Sequence, residues 1–438
     1  MTTVKSLPDW LAHLESLHPK GQGGIELGLE RVSRVKDELR QTQRCPLIVV
    51  GGTNGKGSTC AYLEAIYSHA GYRVGCYTSP HLLDYNERIR VGRASIDDAS
   101  LCRAFAKVEA ARQSAGEVAL TYFEFGTLAA WEVFADCQVE VTILEVGLGG
   151  RLDAVNVYDA DCAIVTGIAL DHTDWLGATR EAIGFEKAGI YRAGKPALCA
   201  DPEPPQSLLD HAVAIGADLQ LMGRDFGATE NQDTWTFQGG QNARLTDLPR
   251  PSLSGIGQLG NASAALAAID ALKERLAVPL EAVRLGLVDV ALPGRFQIVS
   301  RRPTVVLDVA HNPQAVAGLA ASLDAMDGFE RVTSRTISRT IAVVGMLADK
   351  DIAGALAALA GKIDVWLLAG LDVPRGAPVE TLATVVADGK LGGKVERFAS
   401  PSEAWAHAAK LAGEDDRILV FGSFYTVAAV MRALKHGA

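Results

Sequence analysis

The run Leu47-Ile48-Val49-Val50-Gly51-Gly52-Thr53-Asn54-Gly55-Lys56-Gly57-Ser58 passes from an apolar segment straight into a glycine-rich loop. An apolar run that stops at paired glycines reads as a buried strand feeding a tight turn. A helix is predicted from about Gly57 to Ala70, ending at Gly71. A loop that cradles phosphates needs glycines so that backbone N–H groups point inward. It also needs a lysine for the β- and γ-phosphates, a hydroxyl near the metal, and a following helix whose N-terminus faces the anion. Gly52, Thr53, Asn54, Gly55, Lys56, Gly57 and Ser58 supply all four. The spacing departs from the usual G-x-x-x-x-G-K-[ST], because Gly57 stands between Lys56 and Ser58. The competing reading is a strand–helix turn that holds no ligand.

Working outward, Arg73 to Thr78, Val139 to Leu144 and Cys162 to Leu170 read as further strands, and 98–114 and 122–135 carry helix-like apolar spacing. Strands alternating with helices imply a parallel, doubly wound sheet. Residues 225–248 are polar around Trp235-Thr236-Phe237 and suggest a small β-hairpin; Gln258 to Leu276 reads as an alanine-rich helix. A second alternation follows Leu292-Pro293-Gly294, with strands at Thr304–Val309, Thr340–Gly345, Ile363–Leu368 and Arg417–Gly422. Asp327 to Arg339 is expected to be an exposed loop. The expected organisation is an α/β domain over 1–293 and a smaller α/β domain over 294–438.

The 438 residues suit two or three domains at roughly 150 residues each. Lysine and arginine number 42 against 52 aspartates and glutamates, a net charge of −10, which disfavours a nucleic-acid or anionic-membrane role. No apolar run approaches the ~20 residues of a membrane helix, and Met1–Pro19 does not read as a secretory signal. The seven cysteines are odd in number, form no C-x-x-C pair and all lie in the first half, which suits reduced thiols in a cytosolic protein.

In open parallel sheets, ligands sit outside the carboxyl ends of the strands. Glu145 ends one expected strand and His172 another. Both are candidate Mg²⁺ ligands beside a triphosphate, the carboxylate being the natural choice for a hard cation. Asp171 and Asp174 are further candidates, or helix caps. A lone histidine after a strand is more often structural. Lys187 reads by default as a solvated helix lysine. Asp308 ends a strand of the second domain and is followed by His311, while Arg295 offers a fork for phosphate oxygens or an ordinary surface ion pair.

Taken together the motifs resemble one family, the bacterial bifunctional dihydrofolate synthase/folylpolyglutamate synthases of the Mur ligase superfamily. The resemblance rests on Leu27–Val32, Gly52–Ser58, Thr78-Ser79-Pro80-His81-Leu82, Thr121–Thr127, Leu144–Ala154, Leu170–Gly177 and Glu186–Ile190. In the second domain it rests on Leu292–Gln297, Leu307–Pro313 and Gly345–Asp351. It implies a P-loop ATPase domain followed by a Rossmann-like domain. It implies an enzyme that uses ATP and Mg²⁺, at two sites, to join L-glutamate to dihydropteroate or reduced folates through an acyl phosphate. By the same resemblance Ser79, Glu145 and His172 hold magnesium, and Lys187 is carbamylated to hold a second ion. Asn261, Arg295 and Asp308 meet the nucleotide. Leu29, Arg31, Tyr122, Phe123, Asp153 and Ala154 line the pterin side, and His311 and Ser423 serve the glutamate side. A cytoplasmic monomer with no nucleic-acid or membrane partner is expected. Phe185 stands where a basic residue is expected, Tyr425 where a histidine is usual, and Gly21-Gln22-Gly23-Gly24 lengthens the loop before Leu27. A Mur-type ligase acting on a UDP-linked cell-wall precursor is the alternative enzyme, and a nucleotide-binding module without chemistry the alternative class.

Overall fold

The computed structural model describes residues 5–19, 24–240, 243–332 and 337–435. Of the insertion Gly21-Gln22-Gly23-Gly24, the first three residues lie outside the described residues. Two compact units emerge: Met1–Ser252 with Leu259–Val290, and Leu253–Gln258 with Ala291–Ala438.

The first unit is built on β1 (Leu47–Gly51), β2 (Val74–Tyr77), β3 (Ile89–Val91), β4 (Ala94–Ser95), β5 (Val141–Glu145), β6 (Cys162–Val165), β7 (Pro196–Cys199) and β8 (Asp218–Leu221). Their order is β4-β3-β2-β5-β1-β6-β7-β8. β2, β5, β1, β6, β7 and β8 run parallel, with β3 and β4 antiparallel at one edge. Every residue of β1, β5 and β6 is buried, as expected for parallel strands covered on both faces. The register sets Val50 against Glu145 and Gly51 against Val165, so the glycine loop leaves the sheet between two neighbouring strand ends. Helices Lys56–His69, Asp98–Ser114 and Tyr122–Asp136 fall where apolar spacing placed them. The last begins on a capping box, Thr121 with Glu124.

A three-stranded antiparallel sheet, β9 (Gly227–Glu230), β10 (Thr234–Gln238) and β11 (Arg244–Pro249), replaces the expected hairpin. The second unit carries β12 (Gln297–Arg301), β13 (Thr304–Leu307), β14 (Thr340–Val344), β15 (Val365–Ala369), β16 (Lys394–Phe398) and β17 (Arg417–Phe421), in the order β12-β13-β17-β14-β15-β16. Only β12 is antiparallel. The alanine-rich helix stops at Ala271 rather than Leu276. Helix Pro313–Val332 runs into the segment expected to be a loop, where Asp327 pairs with the buried Arg417 at 2.6 Å. Residues 327–332 of that segment are thus helix rather than loop, 333–336 lie outside the described residues, and 337–339 carry no regular structure. No helix among the described residues is long and apolar enough to cross a membrane.

Candidate functional site

Gly52 and Gly55 have φ of 140° and 96°, in the region glycine alone adopts readily. A Cβ on Gly52 would stand 1.8 Å from Thr166 Oγ1, and one on Gly55 2.5 Å from Asn261 Oδ1. The loop is therefore both bent and crowded, and only glycine fits. Thr166, a residue the sequence did not flag, lies within hydrogen-bond reach of the Gly51 and Asn54 carbonyls (3.1 and 2.7 Å). Thr53 N–H donates to Gly167 carbonyl at 2.7 Å, and Thr53 Oγ1 accepts from Ala169 N–H at 3.1 Å. These bonds explain why β6 ends at Val165 instead of running to Leu170: the following residues turn aside to clasp the loop. Lys56 Nζ donates to the Gly52 and Thr53 carbonyls at 3.1 and 3.3 Å. Helix Lys56–His69 starts without a side-chain cap, so its first N–H groups face the loop's concavity.

Glu145 is buried and accepts the Ser79 N–H at 3.1 Å, which joins two of the expected metal residues at adjacent strand ends. His172 has a left-handed backbone (φ 52°), and its Nε2 stands 4.0 Å from Asp171 Oδ1. Asp174 is exposed. Among the described residues no three His, Cys, Asp or Glu groups are gathered closely enough to hold a metal ion by themselves.

Lys187 is not the solvated lysine its sequence suggested: it is 3% exposed. The cause is packing of helix Arg180–Ala188 on the glycine loop that follows β5. A Cβ on Gly150 would meet the Glu186 carbonyl at 2.7 Å, and one on Gly189 would meet Arg151 Cβ at 2.4 Å. Burial and then the Lys56 charge push the Lys187 amine down to about 7, against the pull of Asp171 and Asp153. Asp153 is pushed the other way, up to about 7, by burial, although it accepts N–H groups of Leu148 and Val155 at 2.8 and 3.0 Å and feels Lys56. A half-buried lysine, a buried lysine and a buried aspartate thus share one neighbourhood at the mouth of the loop.

An aromatic wall stands beside it. The Phe123 ring packs over Gly147, where a Cβ would come within 2.7 Å, and lies 5.7 Å from the Tyr77 ring. Tyr122 and Ala154 are buried, and Leu29 packs at the edge of the core. Arg31 is engaged with Glu124 at 2.9 Å and with Glu26, so its fork is already occupied. Phe185 takes the cation–π contact of Arg151 (5.7 Å) and meets His211 edge-on, which accounts for an aromatic residue at that position.

In the second unit, Asp308 follows β13 and accepts N–H groups of Phe296 and Ala310 at 2.8 and 2.7 Å. Burial raises its pKa, with Arg295 acting against that. Arg295 lies 5.2 Å over the Phe424 ring, and His311 lies 6.4 Å from the same ring. His311 Nδ1 donates to the Val309 carbonyl at 2.8 Å, which fixes Nε2 as its basic nitrogen. Ser423 is buried; its Oγ accepts Thr426 N–H at 3.0 Å and meets Thr426 Oγ1 at 2.8 Å, so it is placed as a helix cap. Tyr425 is half exposed.

A P-loop α/β unit followed by a second parallel-sheet unit is the architecture of a Mur-type ligase, and residues 294–424 match the Mur ligase glutamate ligase domain. The dihydrofolate synthase/folylpolyglutamate synthase of Escherichia coli is 46% identical over 429 residues, 98% of this chain and 95% of that protein. The structure of E. coli FolC in complex with DHPP and ADP superposes with a TM-score of 0.90 at 45% identity, covering 99% of this chain and 98% of that one. A bifunctional folylpolyglutamate synthase/dihydrofolate synthase with Mn, AMPPNP and L-glutamate bound gives a TM-score of 0.86 at 45% identity, covering 98% of each chain. The chain belongs to the dihydrofolate synthase/folylpolyglutamate synthase family.

Proposed function

We propose that this protein is an ATP-dependent ligase that adds L-glutamate to 7,8-dihydropteroate and to the glutamate tail of reduced folates, through an acyl phosphate. The observation that carries this reading is the crowded glycine loop with Lys56 at its rim and the buried, near-neutral Lys187 beside it.

A carboxylate does not react with an amine at neutral pH, because its carbonyl is weakly electrophilic and its oxygen leaves poorly. Phosphorylation removes both obstacles. Lys56 exchanges its two carbonyl partners for the β- and γ-phosphates, and the N–H groups of Gly52–Ser58, other than that of Thr53, which is bound to the Gly167 carbonyl, spread the charge that develops there. A carboxylate oxygen of the acceptor bonds to the γ-phosphorus while ADP leaves. The α-amine of glutamate then bonds to the acyl carbon. Phosphate departs with that carboxylate oxygen, and the amine's proton passes to a base, for which His311 Nε2 is suited. Asn261, Arg295 and Asp308 serve the nucleotide, and Tyr122, Phe123, Asp153, Ala154 and Leu29 the pterin. Ser79, Glu145 and His172 would hold Mg²⁺, which when bound would supply charge neutralisation to the phosphates.

Lys187 fits carbamylation. An amine held near pH 7 is half deprotonated there, can add to CO₂ with loss of a proton, and becomes an anionic oxygen donor for a second ion. The protein acts as a cytoplasmic monomer. The reading is tested by incubating it with MgATP, L-glutamate and either dihydropteroate or tetrahydrofolate, with mass detection. Products heavier by one glutamyl unit are expected from both; ADP release that needs neither acid nor amine would exclude it.

A further inference from the structure

Arg88 has no place in the reaction as set out so far. It ends the short 3-10 turn Tyr85–Arg88 that leads into β3. Its carbonyl accepts Thr78 N–H at 2.9 Å, one residue before Ser79, whose N–H is held by Glu145. β3 runs antiparallel to β2, so Arg88 stands at the same carboxyl end of the sheet as the phosphate loop.

Its side chain is fixed from three directions. Nε–H donates to His81 Nδ1 at 2.8 Å, which requires that imidazole nitrogen to be unprotonated. The guanidinium lies 5.3 Å over the Tyr85 ring and 5.6 Å over the Tyr122 ring, and these two rings are themselves edge-on at 5.6 Å. What Arg88 lacks is an anion. Among the described residues no carboxylate pairs with it. Its neighbours differ: Arg90 is paired with Glu64 at 2.8 Å, and Arg31 with Glu124 at 2.9 Å.

The surroundings deepen the imbalance. Tyr77 and Tyr85 hydroxyls are buried without a well-formed hydrogen bond. Both face Gly126, where a Cβ would fall 3.0 and 2.5 Å from them. A guanidinium held by aromatic faces and an imidazole nitrogen keeps its full charge, and an arriving acceptor would satisfy both it and the hydroxyls beside it. A guanidinium whose plane is set in advance suits an oxyanion taken by its fork, carboxylate or phosphate, and the Tyr85 and Tyr122 rings against Arg88 favour the carboxylate of an aromatic acid.

We propose that Arg88 binds the carboxylate of the acceptor acid and is a specificity-determining residue of the ligation. The flat aromatic body of such a substrate would lie along Tyr122 and Phe123, with its acidic end against Arg88. This rests on the ligase reading above, and commits one cation to one substrate group.

The experiment compares equilibrium binding of dihydropteroate and of its carboxamide, by fluorescence, to the full chain with a non-hydrolysable ATP analogue and Mg²⁺. The unmodified protein should favour the acid. Arg88→Gln should weaken the acid about ten- to a hundredfold, the range expected for a charge-assisted bond, and leave the carboxamide within about twofold. Arg88→Lys should fall between, because it keeps the charge and loses the fork. In turnover, KM for dihydropteroate should rise while KM for ATP holds. Equal weakening of both compounds would mean a structural or pterin-side role and would overturn the inference, as would unchanged discrimination. If the unmodified protein binds neither compound and ligates nothing, the ligase reading itself fails and takes this inference with it.

Discussion

At the carboxyl end of the first sheet, Lys187 and Asp153 are buried with values drawn to about 7 from opposite sides. At the carboxyl end of the second, Ser423 caps its helix, Thr426 donates to the Gly345 carbonyl at 2.8 Å, and Asp308 already receives two backbone N–H groups. Both ends follow from the same topology, since loops after parallel strands gather on one side. One is electrostatically unresolved without a ligand; the other is largely satisfied by its own chain. The difference teaches where chemistry is stored: in ionisable groups that burial moves away from their ordinary titration range.

The largest effect should come from Lys56. Lys56→Ala is expected to lower ATP-dependent ligation at least about a thousandfold, with the melting temperature nearly kept, since it removes charge stabilisation at the transferring phosphoryl group. Steady-state assays and a thermal melt check this, and near-normal turnover would end the comparison in its present form.

Lys187→Met should come next, with a loss of turnover of about a hundredfold or more if the amine supplies a metal ligand after carbamylation. It also carries a pH signature. The folded amine titrates at about 7 and the unfolded one near 10.4, so between those values only the unfolded chain holds the proton. Stability of the parent protein should therefore rise with pH across that window, and the methionine variant should lose that rise. Asp153 gives the opposite slope at lower pH. Folded, it keeps its proton from about 3.9 up to about 7 while the unfolded chain has lost it, so stability should fall as pH rises through that range. Melting curves from pH 4 to 10 on both variants, Lys187→Met and Asp153→Asn, would separate the two slopes.

Effects in the second unit should be smaller. Asp308→Asn leaves one of two N–H groups poorly matched and removes a charge beside Arg295; turnover is expected to drop about tenfold, with a modest loss of stability. Ser423→Ala should cost about 1 kcal/mol of stability as a lost N-cap and change turnover least. A large rise in the glutamate KM for that variant, with unchanged stability, would restore Ser423 to the substrate.

Much of this was open to sequence reading. The apolar runs at β1, β5 and β6 and the helices from Lys56, Asp98 and Tyr122 follow from periodicity and turn residues. Residues closer to the chemistry were harder to read. Lys187 looks like any helix lysine, because its burial comes from Gly150 and Gly189, which allow a distant loop to close over it. Thr166 reads from sequence as part of a strand, which in the structure stops one residue earlier so that Thr166 can bind the phosphate loop. Arg88 carries no local signal in the sequence, since the absence of a carboxylate partner among the described residues is a property of the whole neighbourhood. The short outer strands β3 and β4 on one side and β7 and β8 on the other offer too few residues for a period to show.

The claim at the centre is that the acceptor's carboxylate attacks ATP. Dihydropteroate labelled with ¹⁸O in its carboxylate tests this without any substitution. During ligation with glutamate, one labelled oxygen should appear in inorganic phosphate for each amide formed, because the oxygen that bonded to phosphorus leaves with it. Phosphate free of label, with amide product accumulating at the usual rate, would contradict the account.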